Sequence, residues 1–136
     1  MIRTYIDSGI LIAAARGAGL LAERALEIIR DTRAREFVCS DYVRLEVIPK
    51  PSFEGHAPEV QFYEEFFKDV TIWAPFDSVH FEQAFEEACR SGLSALDALH
   101  VVAAAATGCQ ELITSEKPTK PIHRTQLVRT VSIDIG

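Results

Sequence analysis

Apolar residues follow two rhythms along this chain, and the switching between them sets out the elements. Residues 2–6, 37–39, 71–73, 111–114 and 128–133 are short runs rich in β-branched and aromatic side chains, which predicts five strands. Between the runs, apolar positions recur at spacings of three and four, which predicts helices. One covers 8–15. The next covers 20–32, with Leu21, Ala25, Ile28 and Ile29 on one face. A third starts at Ser40 or Asp41, either of which suits an N-cap, carries Tyr42, Leu45 and Val47, and stops before Pro49. Residues 49–58 read as a loop, and Pro58 suits the first turn of a helix carrying Val60, Tyr63, Phe67 and Val70. Asp77 or Ser78 caps a further helix whose buried stripe is expected to be Phe81, Ala84, Phe85 and Ala88. The stretch 94–107 is almost wholly apolar and ends at Gly108, so it is predicted to be the most buried helix.

Strands separated by helices predict an α/β fold: a mainly parallel five-stranded sheet with helices on both faces. The chain has 136 residues, 48% of them hydrophobic, with no repeat, low-complexity tract or linker. A single domain over 1–136 is expected. Open parallel sheets bind ligands beyond the carboxyl ends of their strands. Asp7 stands at such an end, and Glu116 stands two residues after another.

Charge sharpens the picture. The net charge is −6. Residues 54–87 hold nine acids and one base, Lys68, whereas 117–130 hold Lys117, Lys120, Arg124 and Arg129 with no acid. A general nucleic-acid binder is disfavoured, but the local basic stretch suits phosphate, with Lys117, Lys120 and Arg124 as its candidates. No run is long and apolar enough to span a membrane. The opening MIRTYID lacks the basic-then-apolar form of a secretory leader. Cys39, Cys89 and Cys109 are odd in number and form no CxxC pair, so they read as buried thiols in a reducing cytoplasm.

Four acids occupy unusual places. Asp7 joins two apolar runs. Asp97 sits inside ALDALHVVAAAA, where its spacing from Ser94 also fits a helix-capping box. Glu46 lies on the helix after the second strand; pairing with Lys50 is disfavoured because Pro49 ends that helix. Glu116 lies in TSEKP. In a parallel sheet all four can reach one edge. Clustered carboxylates repel one another unless a cation joins them, and oxygen donors select Mg²⁺ or Mn²⁺. Such ions suit phosphodiester hydrolysis.

The segments YIDSGILIAA, SDYVRLEVIP, LSALDALHVVAAAATG and ELITSEK, in that order and spacing, resemble the PIN domain family, its small VapC-type members above all. The resemblance covers essentially the whole chain. It implies a three-layer α/β/α sandwich and a metal-dependent ribonuclease whose acids fall on Asp7, Glu46, Asp97 and Glu116. Thr114 matches the hydroxyl residue preceding the last acid, and Ser8 is placed to orient water. Toxin-like members pair with an antitoxin protein, so such a partner is expected beside the RNA substrate. One departure stands out: the family's fourth acid is usually Asp, and here it is Glu116, followed by a loop stiffened by Pro118 and Pro121.

The remaining features carry less. His100, one turn after Asp97, reads as a core histidine with its hydrogen bonds satisfied. His123 joins the basic stretch as a phosphate contact. The aromatic run Phe62, Tyr63, Phe66, Phe67 reads first as core; its two faces, 62/66 and 63/67, also offer one side to the domain and one to a second copy, and a homodimer is expected. Two other functions compete: a non-catalytic binding module on the same fold, and a phospho-acceptor domain using a strand-end Asp. The second lacks a Lys after the last strand, because the chain ends Ile133-Asp134-Ile135-Gly136.

Overall fold

The computed structural model describes residues 1–135. In chain order the elements are β1 (Ile2–Ile6), α1 (Ser8–Arg16), α2 (Gly19–Ile29), β2 (Arg35–Cys39), α3 (Asp41–Val47), α4 (Pro49–Phe53), α5 (Ala57–Asp69), β3 (Val70–Trp73), α6 (Ser78–Ser91), α7 (Ala95–Ala106), β4 (Glu111–Thr114), a 3-10 turn (Pro121–Arg124) and β5 (Thr130–Ser132). The strands form one sheet in the order β3-β2-β1-β4-β5, and every pair is parallel.

Adjacent residues on the inner strands are buried together: Tyr5 and Ile6, Phe37 and Val38, Leu112 and Ile113. Successive strand residues point to opposite faces, so both faces are covered, as in the expected α/β/α sandwich. The core runs through these strands into Ile10 and Leu11 of α1 and Val101 and Ala104 of α7. As expected, α7 is the helix most fully taken into the core. Among the described residues no helix is long and apolar enough to cross a membrane.

The amino ends of the strands are sewn by ion pairs. Glu111 is buried; its Oε2 accepts from Thr4 Oγ1 at 2.7 Å and from Arg35 Nε at 3.2 Å. Arg35 also reaches Asp31, and Arg3 pairs with Glu36.

Several expectations are corrected. Residues 49–58 are not all loop, because Pro49–Phe53 forms a short helix. The prolines at 49 and 51 sit in a first turn, where their missing N–H groups are no loss. The second helix stops at Ile29, and the last strand is only Thr130–Ser132. Ala84 is buried on α6, but Phe81 and Phe85 are 57% and 63% exposed, so that stripe is not buried along its length. On α5, Tyr63, Phe66 and Phe67 all lie in the chain's own core, with Phe62 packed against it. The aromatic run therefore has no free face for a second copy. Of the three thiols only Cys39 is buried; Cys89 is exposed.

Candidate metal centre

Three parallel strands end near one another at the carboxyl edge of the sheet, and each hands the chain to a polar residue. β1 runs beside β4 with Ile6 opposite Ile113. Asp7, the first residue past β1, and Thr114, the last residue of β4, therefore meet at the edge of the sheet. Thr114 Oγ1 donates to Asp7 Oδ2 at 2.8 Å and accepts from the Glu116 N–H at 3.1 Å. Asp7 is the N-cap of α1, and its Oδ1 accepts from Ser8 N at 2.7 Å. Two residues on, Gly9 leaves room for Ser115 in the loop that follows β4: a Cβ there would fall 2.1 Å from Ser115 Oγ and turn that hydroxyl away.

β2 ends at Cys39, and Ser40 opens α3 from the N-cap position without using its side chain as a cap. Its hydroxyl is engaged elsewhere: Ser40 Oγ lies 2.6 Å from Tyr5 Oη. Tyr5 Oη also lies 2.7 Å from His100 Nδ1, and His100 Nε2 lies 2.5 Å from Glu46 Oε1. The same nitrogen is 3.8 Å from Asp7 Oδ1. Tyr5 and His100 are buried, so a chain of polar atoms runs from inside the sheet to the carboxylates of α3 and α1. Asp97 stands one turn before His100 on α7, on the same face. Its N–H donates to Ser94 Oγ at 3.3 Å, so the capping relation read from the spacing is present as well.

Electrostatics tie these groups together. Burial alone would lower the His100 pKa, but the Glu46 hydrogen bond and the charges of Asp7, Glu46 and Asp97 outweigh it and raise the value. Asp97 is also shifted up, first by burial and then by the Asp7 charge; His100 opposes this and Glu116 adds to it. Burial, more than any neighbour, raises the Tyr5 phenol well above its ordinary value, so Tyr5 keeps its proton.

Ligand atoms of Asp7, Glu46 and His100 lie within 4.8 Å of one another, a donor set able to hold a metal ion. Asp97 and Glu116 stand outside that group, and Glu116 is exposed. The tight trio thus contains His100 where the sequence pointed to Asp97. Two carboxylates and an imidazole suit a divalent ion of the Mg²⁺–Mn²⁺–Zn²⁺ range. Among the described residues, none of Asp7, Glu46, Asp97 and Glu116 forms an ion pair with Lys or Arg; the only cation-forming partner of Asp7 and Glu46 is His100.

The other candidates divide. Thr114 and Ser8 are buried and bond to Asp7, so they act on the acid and do not themselves present a substrate surface. Lys117 and Lys120 are exposed on the loop after β4. Arg124 is the last residue of the 3-10 turn and lies over the α6–α7 turn. His123 turns inward, to Thr130 Oγ1 at 2.9 Å and Glu116 O at 3.1 Å, so it is a loop brace. Tyr5 was not singled out by the sequence, and Ser40 only as a helix cap. A polar side chain in each of two otherwise apolar strand ends was their only signal.

The PIN domain family model matches residues 4–118. Solved structures share the fold. VapBC2 from Rickettsia felis, bound to a DNA fragment from its promoter, matches at TM-score 0.74 and 15% identity, covering 96% of this chain and 98% of that one. DNA-bound VapBC from Salmonella typhimurium matches at 0.67 and 17%, covering 98% and 99%. VapBC-1 from nontypeable Haemophilus influenzae matches at 0.67 and 17%, covering 97% and 98%. None of the curated proteins matches the chain in sequence.

Proposed function

This chain belongs to the PIN domain family, and we propose that it is a divalent-metal-dependent ribonuclease, a single domain over 1–136 that hydrolyses RNA phosphodiester bonds. The observation that carries the reading is the convergence of Asp7, Glu46 and His100 at the carboxyl edge of a parallel sheet, with Asp97 one turn away and no Lys or Arg among the described residues pairing with these acids. Asp7 is buried and Glu46 and Asp97 are half-buried, and acids in such a state are costly unless a cation joins them.

Asp7, Glu46 and Asp97 are the residues that would hold Mg²⁺ or Mn²⁺, with Glu116 supporting them from the loop. When bound, the ion supplies positive charge to the phosphate and lowers the pKa of water. The chain's own residues do the rest. Thr114 and the Ser8 N–H fix both oxygens of Asp7. His100 fixes Glu46, and Tyr5 fixes His100. Lys117 and Lys120 stand on the same edge as the acids, where they can meet RNA phosphates.

The VapBC structures support a protein partner of antitoxin type, and the exposed Phe76, Phe81 and Phe85 supply apolar surface for it or for a second copy of the chain. The test is purified protein against a mixed RNA pool with Mn²⁺ or Mg²⁺, with EDTA and Asp7→Asn as controls. Cleavage that needs the ion and disappears in Asp7→Asn is expected. Cleavage that survives either control would overturn the reading. RNA bound but never cut would favour the binding module.

A further inference from the structure

The acid centre leaves one buried carboxylate without a task. Glu87, on α6, is 1% exposed although it belongs to the most acidic stretch of the chain. A carboxylate so buried needs partners. Its Oε2 accepts from Ser91 Oγ at 2.9 Å and from Thr125 Oγ1 at 2.6 Å. Its Oε1 lies 3.2 Å from Arg90 Nη1, close enough to pair but not aligned as a hydrogen bond. One buried acid thus pins two chain segments far apart in sequence, the end of α6 and the residue after the 3-10 turn.

Each pinned segment carries an arginine to the surface. Arg90 and Arg124 are both exposed. The Arg124 guanidinium lies over the α6–α7 turn, its Nη1 3.5 Å from Ser91 O. Gly92, at φ +66°, makes that approach possible, since a Cβ would fall 2.9 Å from Nη1. Arg90, Ser91, Gly92, Arg124 and Gln126 line a cleft of about 390 Å³, with no Asp or Glu among them. On a protein of net charge −6 this is a local reversal of sign.

We propose that this cleft is an anion subsite for one backbone phosphate of RNA, separate from the acid centre and held in shape by Glu87. Guanidinium groups recognise phosphate through paired N–H donors, and the Gln126 amide adds another donor. RNA fits better than an acidic peptide because of position. The turn runs on through Ser94 into α7, and Asp97 is five residues from Gly92, so a strand in the cleft continues toward the acids. The subsite also answers a physical difficulty of the acid centre, whose negative charge repels the substrate it acts on. The proposal rests on RNA being the substrate.

Binding of a fluorescein-labelled single-stranded RNA, followed by anisotropy in EDTA across a salt series, tests it. The Arg90→Gln/Arg124→Gln double variant should bind about tenfold more weakly, with a log–log salt slope lower by about 0.7 for one lost single-strand phosphate contact. Mn²⁺ binding should stay at the wild-type value, Tm should fall slightly because Glu87 loses Arg90 but keeps Ser91 and Thr125, and Lys68→Gln, an exposed base on α5, should leave RNA binding unchanged. Glu87→Gln, which touches no RNA, should weaken binding in the same direction. Wild-type affinity and slope in the double variant would overturn the subsite and leave the ribonuclease reading intact. A wild-type protein that binds no RNA at any salt would overturn both. Capture of an acidic peptide instead, abolished in the double variant, would assign the cleft to a protein partner.

Discussion

At the amino ends of the strands Glu111 faces Arg35 at 3.2 Å and Glu36 faces Arg3 at 3.2 Å. At the carboxyl ends, only a strand's length away, Asp7 and Glu46 face hydroxyls, a backbone N–H and one imidazole. The side-chain type is the same, and each end has one buried acid, Glu111 or Asp7, and one partly exposed, Glu36 or Glu46. The difference is the counter-charge. A guanidinium is always protonated, so the amino end is neutralised permanently and serves stability. An imidazole is a partial and reversible counter-charge. The carboxyl end therefore keeps an unmet demand for positive charge, which is what a metal centre needs and a structural ion pair does not.

The largest expected effect belongs to the amino end. Arg35→Met removes the partner of both Glu111 and Asp31. Leaving Glu111 buried beside only Thr4 should cost about 3 kcal/mol, a fall in Tm of about 10 °C, with or without metal. A urea melt checks this. A loss under about 1 kcal/mol would show that water replaces the guanidinium and that the two ends differ less than their geometry says.

Asp97→Asn should move stability the other way. The folded protein raises the Asp97 pKa, by burial first and the Asp7 charge second. A raised carboxyl pKa contributes stability below the unfolded value of about 3.9 and loses it as pH rises through the folded value. At pH 7 the ionised group is a net cost. The metal-free Asn variant should therefore melt above wild type at pH 7, with the gap closing below about pH 4. It should also lose the stabilisation that Mn²⁺ gives wild type. A variant still stabilised by Mn²⁺ to the wild-type extent would remove Asp97 from the centre.

The two ends were not equally legible in the sequence. Asp7, Asp97 and the strand-end position of Thr114 could be read because each polar residue interrupts an apolar run, and the resemblance to PIN domains joined them to Glu46 and Glu116. The order of strands and helices came from the same contrast. What escaped was whatever depended on distant partners. Tyr5 meets His100 from 95 residues away and Ser40 from 35, and a tyrosine in a strand carries no mark of what its hydroxyl touches. His100 is a satisfied core histidine, as its apolar setting implied, yet one of the two groups that satisfy it is the candidate ligand Glu46. The α6 stripe failed for another reason. Its period identified a helix face, but period does not say what covers that face, and Phe81 and Phe85 stand open.

A smaller effect is expected from the hydroxyl that joins the buried network. Tyr5→Phe keeps the ring and deletes the group 2.7 Å from His100 Nδ1 and 2.6 Å from Ser40 Oγ. Groups that orient metal ligands from behind typically change affinity by about 10–100-fold. We expect Mn²⁺ to bind about tenfold more weakly, with a stability loss of about 1 kcal/mol. Calorimetric titration separates the two. Unchanged Mn²⁺ affinity with the same stability loss would make the hydroxyl a packing feature, and would bring the carboxyl end closer in kind to the amino end.

Glu116 carries the smallest effect and tests where the carboxyl end stops. It is exposed, it lies outside the 4.8 Å group, and its backbone N–H, not its side chain, is tied to Thr114. It still acts on the centre through space, since its charge helps raise the Asp97 pKa. A longer arm suits an acid whose loop sits back, and Pro118 and Pro121 each restrict one backbone angle in the segment that follows. Shortening the arm by Glu116→Asp moves the oxygens by about one bond length, and misplacement of about 1 Å can cost up to ~10²-fold in rate. A carboxylate acting at one remove should feel less than that limit. We therefore expect Glu116→Gln to lower the initial rate of Mn²⁺-dependent RNA cleavage by about tenfold, clearly less than Asp97→Asn, and Glu116→Asp to fall between Gln and wild type. Stability should change little in either, because no described partner loses an ion pair. Initial rates at saturating Mn²⁺ decide it. Wild-type rates in both variants would confine the centre to Asp7, Glu46 and Asp97 with His100 behind them, and would make Glu116 an ordinary loop acid despite the charge it casts on Asp97.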